Sequence, residues 1–143
     1  MHVDTGMITE LDEYVGRVRD KLEETGQLEN TIFIYTSDHG ESLGEHGLWH
    51  KSSFYENASH VPRVMAGPGI PQGHVVDGPV AHVDLSAALY EWAGLEVPGE
   101  IRGHSLVPLL DGGTGDHPGW TYTESHSEGV MTGGFMIRKG PWK

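Results

Sequence analysis

An uninterrupted apolar and β-branched run, Thr-Ile-Phe-Ile-Tyr-Thr at residues 31–36, is the feature that most restricts the fold of this chain. It lacks the polar alternation of a half-exposed strand and predicts a strand covered on both faces, as in the centre of a parallel sheet. Before it, residues 7–26 repeat apolar side chains every three or four positions, which predicts an amphipathic helix. We therefore expect an α/β fold, a layered sandwich with a mostly parallel central sheet flanked by helices.

Shorter elements follow along the chain. Residues 61–66 predict a brief strand, and residues 84–94 predict a second helix with Asp84 as its N-cap. Two more strands are expected near residues 120–124 and 135–138. Both ends of the sequence fall within unfinished patterns, so we expect the 143 residues to be a piece of a larger protein.

Charge and composition exclude several classes of partner. The formal charge of −12 argues against nucleic acid and anionic membrane surfaces, because phosphate binding needs a basic face. No apolar run reaches roughly 18 residues, so no membrane-spanning helix is predicted. No targeting signal is visible, and the compartment stays open. The chain has no cysteine, which excludes disulfides and thiol catalysis within it.

A carboxylate and an imidazole, Asp38 and His39, directly follow the buried run. Ligands of open α/β sheets bind beyond the carboxyl ends of strands, and Gly40 permits the turn that both side chains need to reach one ion. An oxygen and a nitrogen ligand suit Ca²⁺, Mn²⁺ or Zn²⁺. The alternative is that Asp38 only caps a turn and His39 is solvated. A metal would in any case need further ligands.

A single lysine, Lys51, is the only Lys or Arg between Lys21 and Arg63. Near a metal and a strand end, its ammonium group would hold an anionic substrate and offset the charge that develops on a leaving oxygen. The neighbouring His50 would donate a hydrogen bond or a proton to the same substrate. The alternative for Lys51 is an ordinary exposed lysine.

Three stretches of the sequence together resemble the sulfatase family, within the alkaline-phosphatase-like superfamily. They are "TSDHGESLGEHGLWHKSSFYENASHVPRVMAGPGI", "VAHVDLSAALYEWAGLEVPGEIRGHSLVPLLDG" and "TESHSEGVMTGGFMIRKGPWK". The Asp-His pair followed by Gly-Leu-Trp-x-Lys is most similar to choline-sulfatase-like sulfatases and to phosphonate monoester hydrolases. Two positions depart from the family, since His60 stands where an arginine often precedes Val-Pro, and His104 replaces an acidic or small residue.

The resemblance implies roles for particular residues. Asp38 and His39 would be ligands of a divalent metal, with Ca²⁺ expected and Mn²⁺ or Zn²⁺ as alternatives. Lys51 would contact the sulfate and stabilise the departing ester oxygen. A formylglycine nucleophile would come from a Cys/Ser-x-Pro-x-Arg motif, which this chain lacks. The chain would then be the C-terminal portion of a catalytic domain, with core sheet and helices to about residue 111. Residues from about 112 to 143 would begin a C-terminal subdomain.

Three functional hypotheses follow from these observations. The first is metal-dependent hydrolysis of a small-molecule sulfate ester by a larger enzyme, which is expected to form a homo-oligomer at full length. The second is hydrolysis of phosphonates or phosphodiesters on the same fold. The third is a non-catalytic fragment that binds a metal or an anion. Glu124, His126 and Glu128 are speculative contributors to a substrate pocket.

Overall fold

A computed structural model of the protein describes residues 2–126 and 132–143, and side chains from residue 6 onward within that range. The chain divides into two compact units. The first unit consists of Met1–Thr36 and Arg63–Ile70, and the second of Ser37–Pro62 and Pro71–Lys143. No helix in the described part of the chain is both long and apolar enough to cross a membrane.

The first unit contains one long helix and two strands. Helix α1 spans His2–Glu24, strand β1 spans Phe33–Thr36 and strand β2 spans Arg63–Ala66. A short 3₁₀ turn at Leu28–Asn30 joins α1 to β1. The predicted helix is confirmed, although it begins five residues earlier than its apolar pattern indicated and ends two residues sooner.

The strands of the first unit pair antiparallel. Phe33 lies opposite Ala66 and Thr36 lies opposite Arg63. The strands expected at residues 31–36 and 61–66 are therefore present, but the parallel sheet is not seen among the described residues, where both sheets are two-stranded and antiparallel. The apolar run predicted a strand covered on both faces, whereas all four residues of β1 are only partly buried. Apolar character also does not specify the direction of the neighbouring strand.

A glycine ends β2 because the chain there has no room for a side chain. Gly67 has φ of +136°, and a Cβ at this position would overlap the carbonyl oxygen of Thr31. Only glycine combines this backbone conformation with so close an approach to another strand. The Gly-Pro-Gly sequence that begins here is therefore part of how the two strands are held together.

The second unit contains three helices and a β-hairpin. Helices α2, α3 and α4 span Glu56–Ser59, His82–Trp92 and Val107–Leu110. Strands β3 and β4, Trp120–Ser125 and Gly134–Lys139, pair antiparallel with Trp120 opposite Lys139. The buried apolar residues are small or lie on short helices: Ala58, Ala87, Ala88, Leu106 and Leu110.

Asp84 fixes the start of α3, but from inside the first turn. The helix begins at His82, so the prediction of Asp84 as the N-cap is wrong by three positions. Its Oδ2 accepts the backbone N–H of Ala81 at 2.6 Å, which satisfies one of the free donors at the helix start. Because the side chain reaches back to the capping residue, the aspartate serves the predicted purpose from a different position.

A cluster of charged side chains connects α2 with the C-terminal residues. Glu56 Oε1 accepts hydrogen bonds from Lys143 Nζ at 2.7 Å and from Arg138 at 3.2 Å, while Oε2 lies 3.1 Å from His60 Nδ1. The Lys143 hydrogen bond is the largest cause of the lowered pKa of Glu56.

Candidate functional site

A tight turn directly after Ser37 orients the first two predicted site residues. Ser37 Oγ donates to the His39 carbonyl at 2.8 Å, and Asp38 Oδ1 accepts the His39 N–H at 2.9 Å. This backbone hydrogen bond is the largest cause of a lowered pKa for the Asp38 carboxyl. Asp38 therefore does cap a turn with one oxygen, while Oδ2 lies 3.5 Å from His39 Nε2.

The ring of His39 is oriented by the main chain. Its Nδ1 lies 2.8 Å from the carbonyl oxygen of Gly40. A carbonyl can only accept, so Nδ1 carries the proton and the neutral ring presents a lone pair at Nε2. Metal-binding histidines are commonly held in this way, with the nitrogen remote from the ion bonded to a carbonyl. The donor set of Asp38 and His39 thus fits part of a divalent metal site.

Lys51 returns to this same nitrogen. Its Nζ lies 3.0 Å from His39 Nε2, although twelve residues separate the two in sequence. Asp38 Oδ2, His39 Nε2 and Lys51 Nζ therefore lie close together on an exposed loop, and their roles as metal ligands and substrate contact stay predictions. His50 contributes to this loop through its backbone, since its carbonyl accepts the Ser42 N–H at 3.2 Å and its side chain is exposed.

The loop that brings Lys51 back is strained. Leu43, His46 and His50 all have positive φ, at 47°, 53° and 69°. Each such residue costs about 1–3 kcal/mol, and strain of this kind concentrates at functional sites. Two backbone hydrogen bonds close the loop, Ser42 N to His50 O and Gly44 N to Leu48 O. The glycines in the loop signalled turns, but no sequence pattern predicted the three strained non-glycine residues.

Further ligands for a metal are not found near this pair. Among residues 2–126 and 132–143 there is no group of three or more His, Cys, Asp or Glu side chains that would hold an ion. Glu41 Oε1 instead accepts the Ser42 N–H at 3.1 Å. Of the speculative pocket residues, Glu124 and His126 lie 3.8 Å apart, and Glu128 lies outside the described residues.

A second acidic and histidine-containing cluster was missed by the sequence analysis. Asp84 Oδ2 lies 3.4 Å from His117 Nε2, and both side chains are buried. The backbone N–H of His104 donates to Asp84 Oδ1 at 2.9 Å, and the His104 ring contacts the His117 ring edge-on. His104 Nδ1 also lies 3.3 Å from Asp116. Since 33 residues separate Asp84 from His117, no local spacing could have predicted their contact.

Comparison with known proteins places this site within a family. The family model described as Sulfatase matches residues 2–95, which include Asp38, His39 and Lys51. Arylsulfatase K of Danio rerio is 37% identical over 141 residues, covering 96% of this chain and 27% of the relative. The chain belongs to the sulfatase family.

Solved structures agree with this membership. A phosphonate monoester hydrolase from Silicibacter pomeroyi superposes with a TM-score of 0.75 and 40% identity, covering 81% of this chain and 23% of that one. A protein solved in complex with its substrate D-glucosamine-2-N,6-O-disulfate superposes with a TM-score of 0.77 and 31% identity, covering 93% and 28%. These neighbours identify the fold as α/β of the alkaline-phosphatase-like type. The chain spans about a quarter of the length of its relatives.

Proposed function

We propose that this chain forms part of an enzyme that hydrolyses sulfate esters with the help of a divalent metal. The proposal rests on the short distances among three groups. Asp38 Oδ2 lies 3.5 Å from His39 Nε2, and His39 Nε2 lies 3.0 Å from Lys51 Nζ. Two donors suited to a divalent ion and one ammonium group in the same spot match the needs of a sulfate ester, whose sulfate group is anionic and whose ester oxygen gains negative charge as its bond to sulfur breaks. Membership in the sulfatase family supports the choice of sulfate.

The residues of this chain would act by binding and orienting. Asp38 and His39 would hold the metal, with Ca²⁺ as the expected ion and Mn²⁺ or Zn²⁺ as alternatives, and other parts of the protein would complete the ligand set. The metal would polarise the sulfate, and a formylglycine from elsewhere in the protein would supply the nucleophilic oxygen. Lys51 would bind a sulfate oxygen and stabilise negative charge on the ester oxygen as its bond to sulfur breaks. His50 is proposed as a substrate contact.

Further proposals concern the domain organisation and assembly of the full-length protein. We propose that residues to about 111 belong to a layered catalytic domain with a mostly parallel central sheet. Residues from about 112 onward would begin a C-terminal subdomain, and a homo-oligomer is proposed for the full-length protein. The β3–β4 hairpin, which pairs with no other strand among the described residues, supports a boundary before Trp120.

Alanine substitutions at two site residues test the proposal. In the full-length protein, Asp38→Ala should abolish binding of Ca²⁺ or Mn²⁺ in calorimetric titrations. Lys51→Ala should retain metal binding but lower kcat on an aryl sulfate by about 10²–10³-fold, the usual loss when one preorganised charge-stabilising donor is removed. Lys139→Ala removes a lysine from β4, away from the loop, and serves as the matched control. Unchanged turnover in both site variants would remove the proposal.

A phosphonate or phosphodiester hydrolase is the second candidate. The similarity to a phosphonate monoester hydrolase supports it, and the same three groups serve tetrahedral phosphorus and sulfur centres alike. Paired assays on an aryl sulfate and on a phenylphosphonate ester decide between the two, and a sulfated amino sugar belongs among the sulfate substrates because one structural relative acts on such a compound. Metal binding without turnover of any of these esters would instead favour the non-catalytic fragment.

A further inference from the structure

Helix α2 lies directly against the turn that carries Asp38 and His39. The N–H of Gly40 donates to the carbonyl of Ala58 at 2.9 Å. A Cβ on Gly40 would overlap the backbone carbonyl of Asn57, so the two backbones are in close contact. The position of the metal-ligand turn therefore depends on α2.

One side chain of α2 reaches further along the same loop. Asn57 Nδ2 donates to the carbonyl oxygen of Ser42 at 3.2 Å, across fifteen residues of sequence. Ser42 is only 1% exposed, and the same carbonyl also accepts the backbone N–H of Glu45 at 2.8 Å. Asn57 is therefore a second donor to this oxygen, and its hydrogen bond ties the loop to α2.

Ser42 is the residue at which the two arms of the loop meet. Its N–H donates to the carbonyl of His50, the residue immediately before Lys51. Its carbonyl is held by Asn57, and Gly40, two residues earlier, is held by Ala58. The arm that ends at His39 and the arm that ends at Lys51 are thus tied to one another and to α2 through a single buried peptide.

We infer that Asn57 is a positioning residue that holds the loop arm ending at Lys51 against the turn that carries His39. It acts through the Ser42 carbonyl and touches neither the metal nor the substrate. The inference rests on the proposed function, since it assigns to His39 and Lys51 the metal and the sulfate that they would bind.

The Asn57 amide donates to Ser42 O from α2, and its other end, Asn57 Oδ1, is buried without a partner in the described part of the chain. An aspartate would place a second acceptor and a buried negative charge against Ser42 O. Alanine would remove the donor without adding repulsion. The two substitutions should therefore differ in severity, with aspartate the worse.

Calorimetric titration of the full-length protein with CaCl₂ and MnCl₂ tests the inference. Asn57→Asp should weaken metal affinity about 10–100-fold and Asn57→Ala about 10-fold or less, the range typical of groups that orient a ligand. Asn30→Asp introduces the same charge at an exposed position in the first unit and should leave affinity unchanged. The direction is informative, because an added negative charge acting only through its field would strengthen cation binding.

Unfolding in the presence of a chelator separates positioning from general damage. Weaker metal binding together with a lower kcat on aryl sulfate, at a melting temperature close to that of the wild type, would support the inference. Wild-type metal affinity in both Asn57 variants would overturn it while the proposed function stands. The inference would also be overturned if both variants lost metal affinity and lost stability to the same extent in the presence of the chelator. Asn57 would then be structural only. A wild-type protein that binds neither ion would overturn the proposed function and this inference together.

Discussion

Two aspartate–histidine pairs in the second unit have almost the same separation and opposite surroundings. Asp38 and His39 lie 3.5 Å apart with side chains 84% and 38% exposed, whereas Asp84 and His117 lie 3.4 Å apart with both side chains 5% exposed. The distance alone would assign both pairs the same purpose. Their exposure shows that only the first can meet a ligand from solution.

The hydrogen bonds of each pair make the same distinction. Both oxygens of Asp84 are occupied, Oδ1 by the N–H of His104 and Oδ2 by that of Ala81 and by His117. The other nitrogen of His117 accepts the N–H of Gly119 at 3.1 Å. Asp38 instead uses Oδ1 for its local turn, while its Oδ2 lies 3.5 Å from His39 Nε2, which Lys51 Nζ contacts at 3.0 Å. A pair whose polar atoms are all occupied by buried partners stabilises a fold, whereas an exposed carboxylate oxygen such as Asp38 Oδ2 can bind an ion.

The largest effect that this comparison predicts is on stability. Asp84→Ala should lower the free energy of unfolding by about 3 kcal/mol or more, because two backbone N–H groups lose their acceptor and His117 loses its buried partner. Urea unfolding of the full-length protein measures the change. Asp77→Ala, at an exposed aspartate in the same unit, should stay within about 0.5 kcal/mol of the wild type. A loss below 1 kcal/mol for Asp84→Ala would break the distinction between the pairs.

Sequence reasoning located one of these pairs and missed the other for a physical reason. Asp38, His39 and Lys51 lie within one loop, so their residue types and spacing could be read directly from the sequence. His117 meets Asp84 only after the residues between them fold, and nothing in the local pattern of either residue reflects that contact. The antiparallel pairing of β1 was missed for the same reason, because an apolar run predicts only a buried strand. Whether the pairing is parallel or antiparallel depends on the partner strand. The elements themselves were predicted well because their periodicities are local.

A glycine lies close to each pair, and substituting each glycine tests whether the two pairs have separate roles. A Cβ on Gly40 would overlap the carbonyl of Asn57, and one on Gly103 would overlap the carbonyl of Val83, next to Asp84. Both Gly40→Ala and Gly103→Ala should therefore destabilise the protein, by about 1–3 kcal/mol each. Only Gly40→Ala should also weaken metal binding, about 10-fold, because it displaces the turn that holds His39.

Paired thermal melts and metal titrations read out both glycine variants. Gly16→Ala is the control for the substitution itself, since a Cβ there meets nothing within 4 Å and the position is helical. Alanine should stabilise α1 at that position by about 0.5–1 kcal/mol. Equal losses of metal affinity in Gly40→Ala and Gly103→Ala would show that the two pairs are energetically linked, contrary to the separate roles assigned to them.

The smallest predicted effect concerns the proton affinity of Asp38. The His39 N–H holds the Asp38 pKa below the ordinary aspartate value, so the folded state binds this proton less readily than the unfolded state. The resulting stabilisation is fully present above the unfolded pKa and is lost as pH falls through the lower folded pKa. Carbon-13 detected titration of the metal-free protein should therefore give Asp38 a midpoint below the ordinary aspartate value. A midpoint at or above that ordinary value would mean that the turn does not hold the ionised carboxylate. The free oxygen beside His39 would then lose its charge in mild acid, and the exposed pair would be no better prepared for a cation than the buried one.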